Sequence, residues 1–371
     1  MRCPAVALVL LAVPLPAAAQ WEPMETGTRA EFRSAAAPAD SVLWAGGRGG
    51  VVLRTVDRGA TWRTDTIPGA RNLFLIGISA RGADTAVVLG TGFDSSTARI
   101  YRTTDGGASW TQSWADDRPG IFLDGIAFWD DRRGIAFGDP VDGGFMVLVT
   151  RDGGATWVEV PVDSLPLPLA GEAGFAASGR ALATRPGGLA WFGTGGAEQA
   201  RVFRTMDYGA TWTATATPIE SGTSKGIFAL TFVDSLAGFA VGGDHTARTI
   251  ASDNILRTED GGRTWSSAGS SLPAGVRYGA AVVPANGATV LFAVGPSGSG
   301  YSEDGGASWR VIDHVHWNTV VFSPDGTGWV LGPEGRVGRW RGFGTPTSLR
   351  QDAQRTSSKG TFRIGQRRQP S

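Results

Sequence analysis

The sequence predicts an all-β protein: a seven-bladed β-propeller of four-stranded blades, its ring closed by the N-terminal strand. Three observations predict it. The pattern Ser/Thr-x-Asp-x-Gly-x-Ser/Thr-Trp occurs six times. Its tryptophans, Trp62, Trp110, Trp157, Trp212, Trp265 and Trp309, stand roughly 44 to 55 residues apart, a period that points to propeller blades. A short apolar segment ending in glycine occurs seven times.

Taken in order, the glycine-ended segments are SVLWAG (41–46), TAVVLG (85–90), GIAFG (134–138), LAWFG (189–193), AGFAVG (237–242), VLFAVG (290–295) and GWVLG (328–332). Each reads as the second strand, b, of a blade. An apolar stretch such as IFLDGIAF (121–128) or IFALTFV (227–233) precedes it as strand a. A variable loop, a strand c and the motif follow. Helical periodicity is almost absent. The seventh unit runs GPEGRVGRW and lacks a motif and a strand d. At the other end of the chain Trp21 sits where a motif tryptophan would sit, ahead of the strand-like EFRSAAA. Residues 20–26 are therefore expected to supply the outer strand of blade 7, which leaves no large open sheet edge.

The motif suits the turn from strand c to strand d. The carboxylates of Asp57, Asp105, Asp152, Asp207, Asp260 and Asp304 can accept hydrogen bonds from backbone N–H groups of the turn. The glycine supplies a left-handed backbone. The hydroxyls tie the flanks together, and the tryptophan returns along strand d as an apolar anchor between blades. One such turn per blade is architecture, because every repeat must bury the same face.

These motifs resemble Asp-box, or BNR, repeats, which occur in sialidases, some endoglucanases, sortilin-type receptors and the photosystem II stability/assembly factor-like family. GIAFGDPVDGGFMVLVTRDGGATW and GWVLGPEGRVGRW resemble blades of the last family best. The resemblance spans about residues 21–340 and implies a propeller that docks on a protein client, such as a membrane protein or its precursor. Fold does not by itself imply activity.

Composition bounds the remaining readings. The 371 residues are 42% apolar and carry 34 basic and 34 acidic side chains, enough for a large core. Residues 1–19 read as a secretory signal peptide: Arg2, an apolar run, then Ala17-Ala18-Ala19. The mature chain would start near Gln20 and be periplasmic or secreted. The single cysteine, Cys3, falls inside the leader, so no disulfide or thiol nucleophile is expected. No apolar run after the leader is long enough to span a membrane. Residues 341–371 hold seven basic side chains and one acid and read as a basic disordered tail. The body, 20–340, is correspondingly acidic, which argues against a nucleic-acid partner. A monomer is expected.

Motif turns occupy one rim, so the b–c and d–a loops occupy the other. The b–c loops of blades 2–5 are the long ones (TGFDSSTAR, DPVDGGF, TGGAEQAR, GDHTARTIASDN), and the d–a loop after blade 3 carries LPLPLAGEAG (165–174). A functional face is expected over blades 2–5. Its candidate residues are Asp124 on an inner strand, Asp139, Glu172, Asp244, His245, Asp253, Arg277 and Tyr278. Among these, Asp139, Glu172 and Asp244 are the candidate carboxylates for glycoside hydrolysis, as widely separated acid and base. His245, His314 and His316 fall on the same face, but no metal site is expected because His314 and His316 lie at strand spacing and His245 is remote in sequence.

Two function classes follow. The first is an exported, non-enzymatic binding or assembly scaffold, as the family resemblance implies. The second is a sialidase-like glycoside hydrolase acting on a glycan. Sialidases use a tyrosine nucleophile with a glutamate partner. Tyr101 and Tyr301 precede motifs and Tyr208 lies inside one, which leaves Tyr278; the Arg-Ile-Pro signature is absent. No cofactor is expected: GGRGGVV (46–52) has no following helix and reads as a hairpin.

Overall fold

The computed structural model describes residues 20–285 and 288–343. The expected signal peptide and residues 344–371 of the expected tail lie outside them. The described residues form seven four-stranded antiparallel sheets. Each sheet runs a-b-c-d outward from a central channel. The inner strands are Phe32–Ala39, Leu73–Ala80, Leu123–Phe128, Leu182–Arg185, Lys225–Phe232, Gly279–Ala285 and Thr319–Phe322. The only helical element among the described residues is a single turn at Val162–Ser164, and none is long and apolar enough to cross a membrane.

The N-terminus closes the ring. Trp21–Met24 pairs antiparallel with Val337–Trp340, Trp21 opposite Trp340, as the outer strand of blade 7. The Trp21 and Trp340 rings meet at 4.9 Å, and Trp21 Nε1 donates to Ser299 Oγ in blade 6 at 2.9 Å. Phe343 continues this packing against Phe292, Tyr301 and Trp340.

The core lies between neighbouring blades. Val42 and Trp44 of blade 1 share one buried cluster with Leu75 and Ile78 of blade 2, and Phe32 and Leu53 of blade 1 share another with Trp329 of blade 7. The motif tryptophans join these seams: Trp62 packs edge-on to Trp329 at 5.9 Å, and Trp110 edge-on to Trp44 at 6.2 Å. Burying such rings contributes on the order of 2–3 kcal/mol each.

The hydroxyls, the carboxylate and the glycine N–H of the motif all have partners. In the blade 1 copy the Thr55 hydroxyl donates to Asp57 Oδ1 at 2.7 Å and accepts from the N–H of Gly59 at 2.9 Å. Asp57 also accepts from the N–H of Thr61 at 2.9 Å and from its hydroxyl at 2.5 Å. The same bonds recur at Asp105, Asp152, Asp207, Asp260 and Asp304. The glycine is left-handed in all six, from φ 82° at Gly107 to 97° at Gly306.

Candidate functional site

On the rim opposite the motif turns, a cup of about 460 Å³ opens at the channel mouth. Its floor comes from the long d–a loop between blades 3 and 4. That loop does not stay on the surface over blades 2–5. After Glu172 it turns inward, and residues 174–179 lie across the channel axis. A Cβ at Gly174 would strike the Asp124 carboxyl of blade 3. Ala177 is buried against Phe228, Val276 and Tyr278 of blades 5 and 6. Gly179, at φ 64°, would place a Cβ 2.5 Å from the Ile76 carbonyl of blade 2 and 3.0 Å from Ser34 of blade 1. The segment therefore touches both sides of the ring. Small residues are required at Gly174 and Gly179, where the neighbouring blades leave no space for a Cβ.

Phe175 anchors this plug. Its ring stacks on Phe228 at 4.5 Å and lies on the backbone of Gly195 and Gly226. Phe74, Phe93, Phe122 and Tyr278 complete an aromatic wall, with Arg33, Arg248 and His245 interleaved. Phe93 is 52% exposed, with the Arg48 guanidinium 4.2 Å from its ring centre.

Asp124 and Asp139 meet at the base of the cup. The sequence expectation set Asp139 apart with Glu172 and Asp244; here its neighbouring carboxyl is Asp124, whose two oxygens are buried without a hydrogen-bond partner among the described residues. Asp124 is 1% exposed. Burial, then the charge of Asp139, pushes its carboxyl well above the ordinary carboxylate range. Burial also lifts Asp139 to about 6, opposed by the N–H of Gly174, which donates to Asp139 Oδ1 at 2.8 Å. Two buried carboxyls side by side resist ionising together. Asp139 therefore clamps the plug by accepting from its backbone, and the neutral form of Asp124 is favoured beside it.

The other sequence candidates divide. His245 and Tyr278 line the cup. Glu172 does not: it is 3% exposed, ion-paired with Arg201 in blade 4, and accepts from Thr194 Oγ1 at 2.6 Å and from the N–H of Leu169 at 2.9 Å. It fastens the loop just before the loop enters the channel. Asp244 caps its own loop, where the hydroxyl and N–H of Thr246 hold its carboxylate down at about 2. Asp253 is exposed, beside Ser267 of the outer strand of blade 5. Arg277 is fully buried, donating to Ser271 Oγ at 2.6 Å and to the Gly298 carbonyl at 2.9 Å. His316 bonds Asn318 at 3.1 Å, and no group of three or more His, Cys, Asp or Glu among the described residues could hold a metal ion.

Sequence reasoning did not single out Arg33, Phe175, Phe228 or Arg248. Arg248 and Phe93 lay within long b–c loops that did carry a signal. Phe175 directly follows the LPLPLAGEAG stretch, but nothing local says that this loop turns into the channel.

No family profile and no curated protein matches the chain. Solved structures do. YCF48 bound to D1 peptide is 18% identical over 89% of this chain and 99% of its own, with a TM-score of 0.58. YCF48 from Cyanidioschyzon merolae is 18% identical over 87% and 99%, also at 0.58. An ancestral GH74 enzyme is 12% identical over 86% of this chain and 46% of its own, at 0.55. At these identities the likeness establishes the fold, which binding proteins and enzymes share.

Proposed function

We propose that this protein is an exported, non-enzymatic scaffold whose loop-face cup binds a segment of a protein client. The observation that carries the reading is the cup itself: an open, aromatic-walled hollow rimmed by Arg33 and Arg248, with Asp139 engaged in holding the floor. Exposed aromatics beside arginines are the composition of protein-recognition surfaces. At the level of fold, a propeller solved with a bound peptide supports the same reading. The Asp-box repeats extend it to a stability or assembly role of the photosystem II factor type, with a membrane protein or its precursor as client.

The test is affinity capture of the full-length product from its own cell envelope beside a Phe93→Ser/Arg248→Glu double variant. Both side chains line the cup outside the core seams. A discrete partner retained by the parent and lost by the double variant, then reproduced with a synthetic segment of that partner, is the expected result. Equal capture by both proteins would remove the cup from the reading.

A second reading, glycoside hydrolysis, draws on Asp139. A carboxyl lifted to about 6 has the character of a general acid. The neighbouring acid, Asp124, is buried and its ionisation is disfavoured, however, whereas hydrolases set a second carboxylate about 5–9.5 Å away across the substrate. Sialoside and glucan hydrolysis assays on wild type and Asp139→Asn decide between the two.

A further inference from the structure

The plug divides the channel into two cups, and the one on the motif face has a different chemistry. It encloses about 530 Å³ and is lined by Arg180 and Arg185, with Ser79, Thr184, Ser323 and the inner-strand backbones around them. Arg180 is the residue at which the plug leaves the channel axis, its carbonyl accepting from the N–H of Leu230 at 2.9 Å. Its Nε is buried without a partner, as is that of Arg185. Neither side chain makes an ion pair among the described residues. The acid nearest in effect to Arg185 is Asp234, whose carboxylate already accepts from the N–H groups of Leu236 and Ala237 at 2.7 and 2.8 Å. Burial pushes Arg180 down to about 10, with no carboxylate opposing the shift.

A partly buried guanidinium with no counter-charge is costly, and the cost is relieved by an anion. Acidic residues outnumber basic ones in the propeller body, yet none is placed here. Guanidinium forks match oxyanions in charge and geometry. We propose that the motif-face cup is an oxyanion site, in which Arg180 and Arg185 hold a phosphate, sulfate or carboxylate group on the channel axis. This goes beyond client binding in the opposite cup and does not depend on it.

The probes are inorganic phosphate, sulfate and acetate, each titrated into the full chain by calorimetry at constant ionic strength with chloride as the balancing anion. One saturable site per chain is expected. Arg180→Met should weaken it more than about tenfold and Arg185→Met by about tenfold. Arg180→Met should also raise the melting temperature in oxyanion-free buffer, because it deletes an unpaired charge, while phosphate should raise that of wild type alone. Binding of phosphate and sulfate without acetate would assign the site to tetrahedral anions, and preferential binding of acetate to carboxylate ligands. No saturable binding by wild type at concentrations on the order of 10 mM overturns the proposal, as does equal affinity of wild type and Arg180→Met. Arg180→Lys keeps the test open if the methionine variant does not fold: it should retain weakened binding.

Discussion

Asp139 of blade 3 and Gly174 of the loop between blades 3 and 4 are joined by a hydrogen bond of 2.8 Å from the glycine N–H to the aspartate Oδ1. This bond fixes where the d–a loop enters the channel, and so sets the floor of the loop-face cup. Gly174 has no space for a side chain because the Asp124 carboxyl lies where a Cβ would go. Gly174→Ala is therefore expected to displace the plug, at a cost of roughly 1–3 kcal/mol. Thermal unfolding measures the cost, and loss of cup binding in the surviving fold measures the displacement.

The acid pair gives stability a distinctive pH dependence. In the unfolded chain both carboxyls ionise near ~4. In the fold Asp139 keeps its proton until about 6, and Asp124 beyond the ordinary range. Between these values the folded state binds more protons, so the pair's contribution falls as pH rises from ~4 through ~6. Burial lowers His316, which acts in the opposite direction over part of this window. The difference between wild type and Asp139→Asn isolates the pair. Urea midpoints from pH 4 to 7 should show a steeper decline with rising pH in wild type.

The motif aspartates act with the opposite sign. Hydrogen bonds from the motif hydroxyls and N–H groups hold Asp57, Asp105, Asp260 and Asp304 at about 2. Asp152 is also held at about 2, against its partial burial. Their stabilisation is complete above the unfolded value near ~4 and is lost as pH falls toward about 2. Asp152→Ala should cost ~1–2 kcal/mol, as loss of a capping carboxylate does, and leave binding at the cup unchanged. A variant that lost binding at unchanged melting temperature would refute a purely architectural motif.

Closure of blade 7 rests on Trp21. Trp21→Ala removes a ring packed on Trp340 and Phe292, and its bond to Ser299. A loss of about 3–5 kcal/mol is expected. Release of the strand would also expose the edge of Val337–Trp340 to other chains. Light scattering on heating should therefore begin earlier in this variant than in Asp152→Ala.

The architecture was legible because its causes are local. Six motifs name their own hydrogen bonds, since each hydroxyl, carboxylate and glycine finds its partner within a few residues. The glycine-ended strands recur at one spacing. Even the closure could be read, because Trp21 occupies the place in a repeat that the chain's other end leaves empty. By the same local logic the long d–a loop and the b–c loops of blades 2–5 pointed to the rim on which the cup opens, and Asp124, Asp139, His245 and Tyr278 line that cup.

By itself, then, the sequence determined the propeller, its blade count, its closing strand and the face that carries its cup. Only the tertiary structure decided that Gly174 to Gly179 cross the channel, that Asp124 and Asp139 lie together at the base of the cup, that Glu172 is spent on Arg201, and that Arg180 and Arg185 face a cavity with no acid to pair them. The physical reason is that burial and charge compensation are sums over everything nearby in space. At the axis of a ring, those neighbours come from every blade at once, and no local pattern in the chain records them.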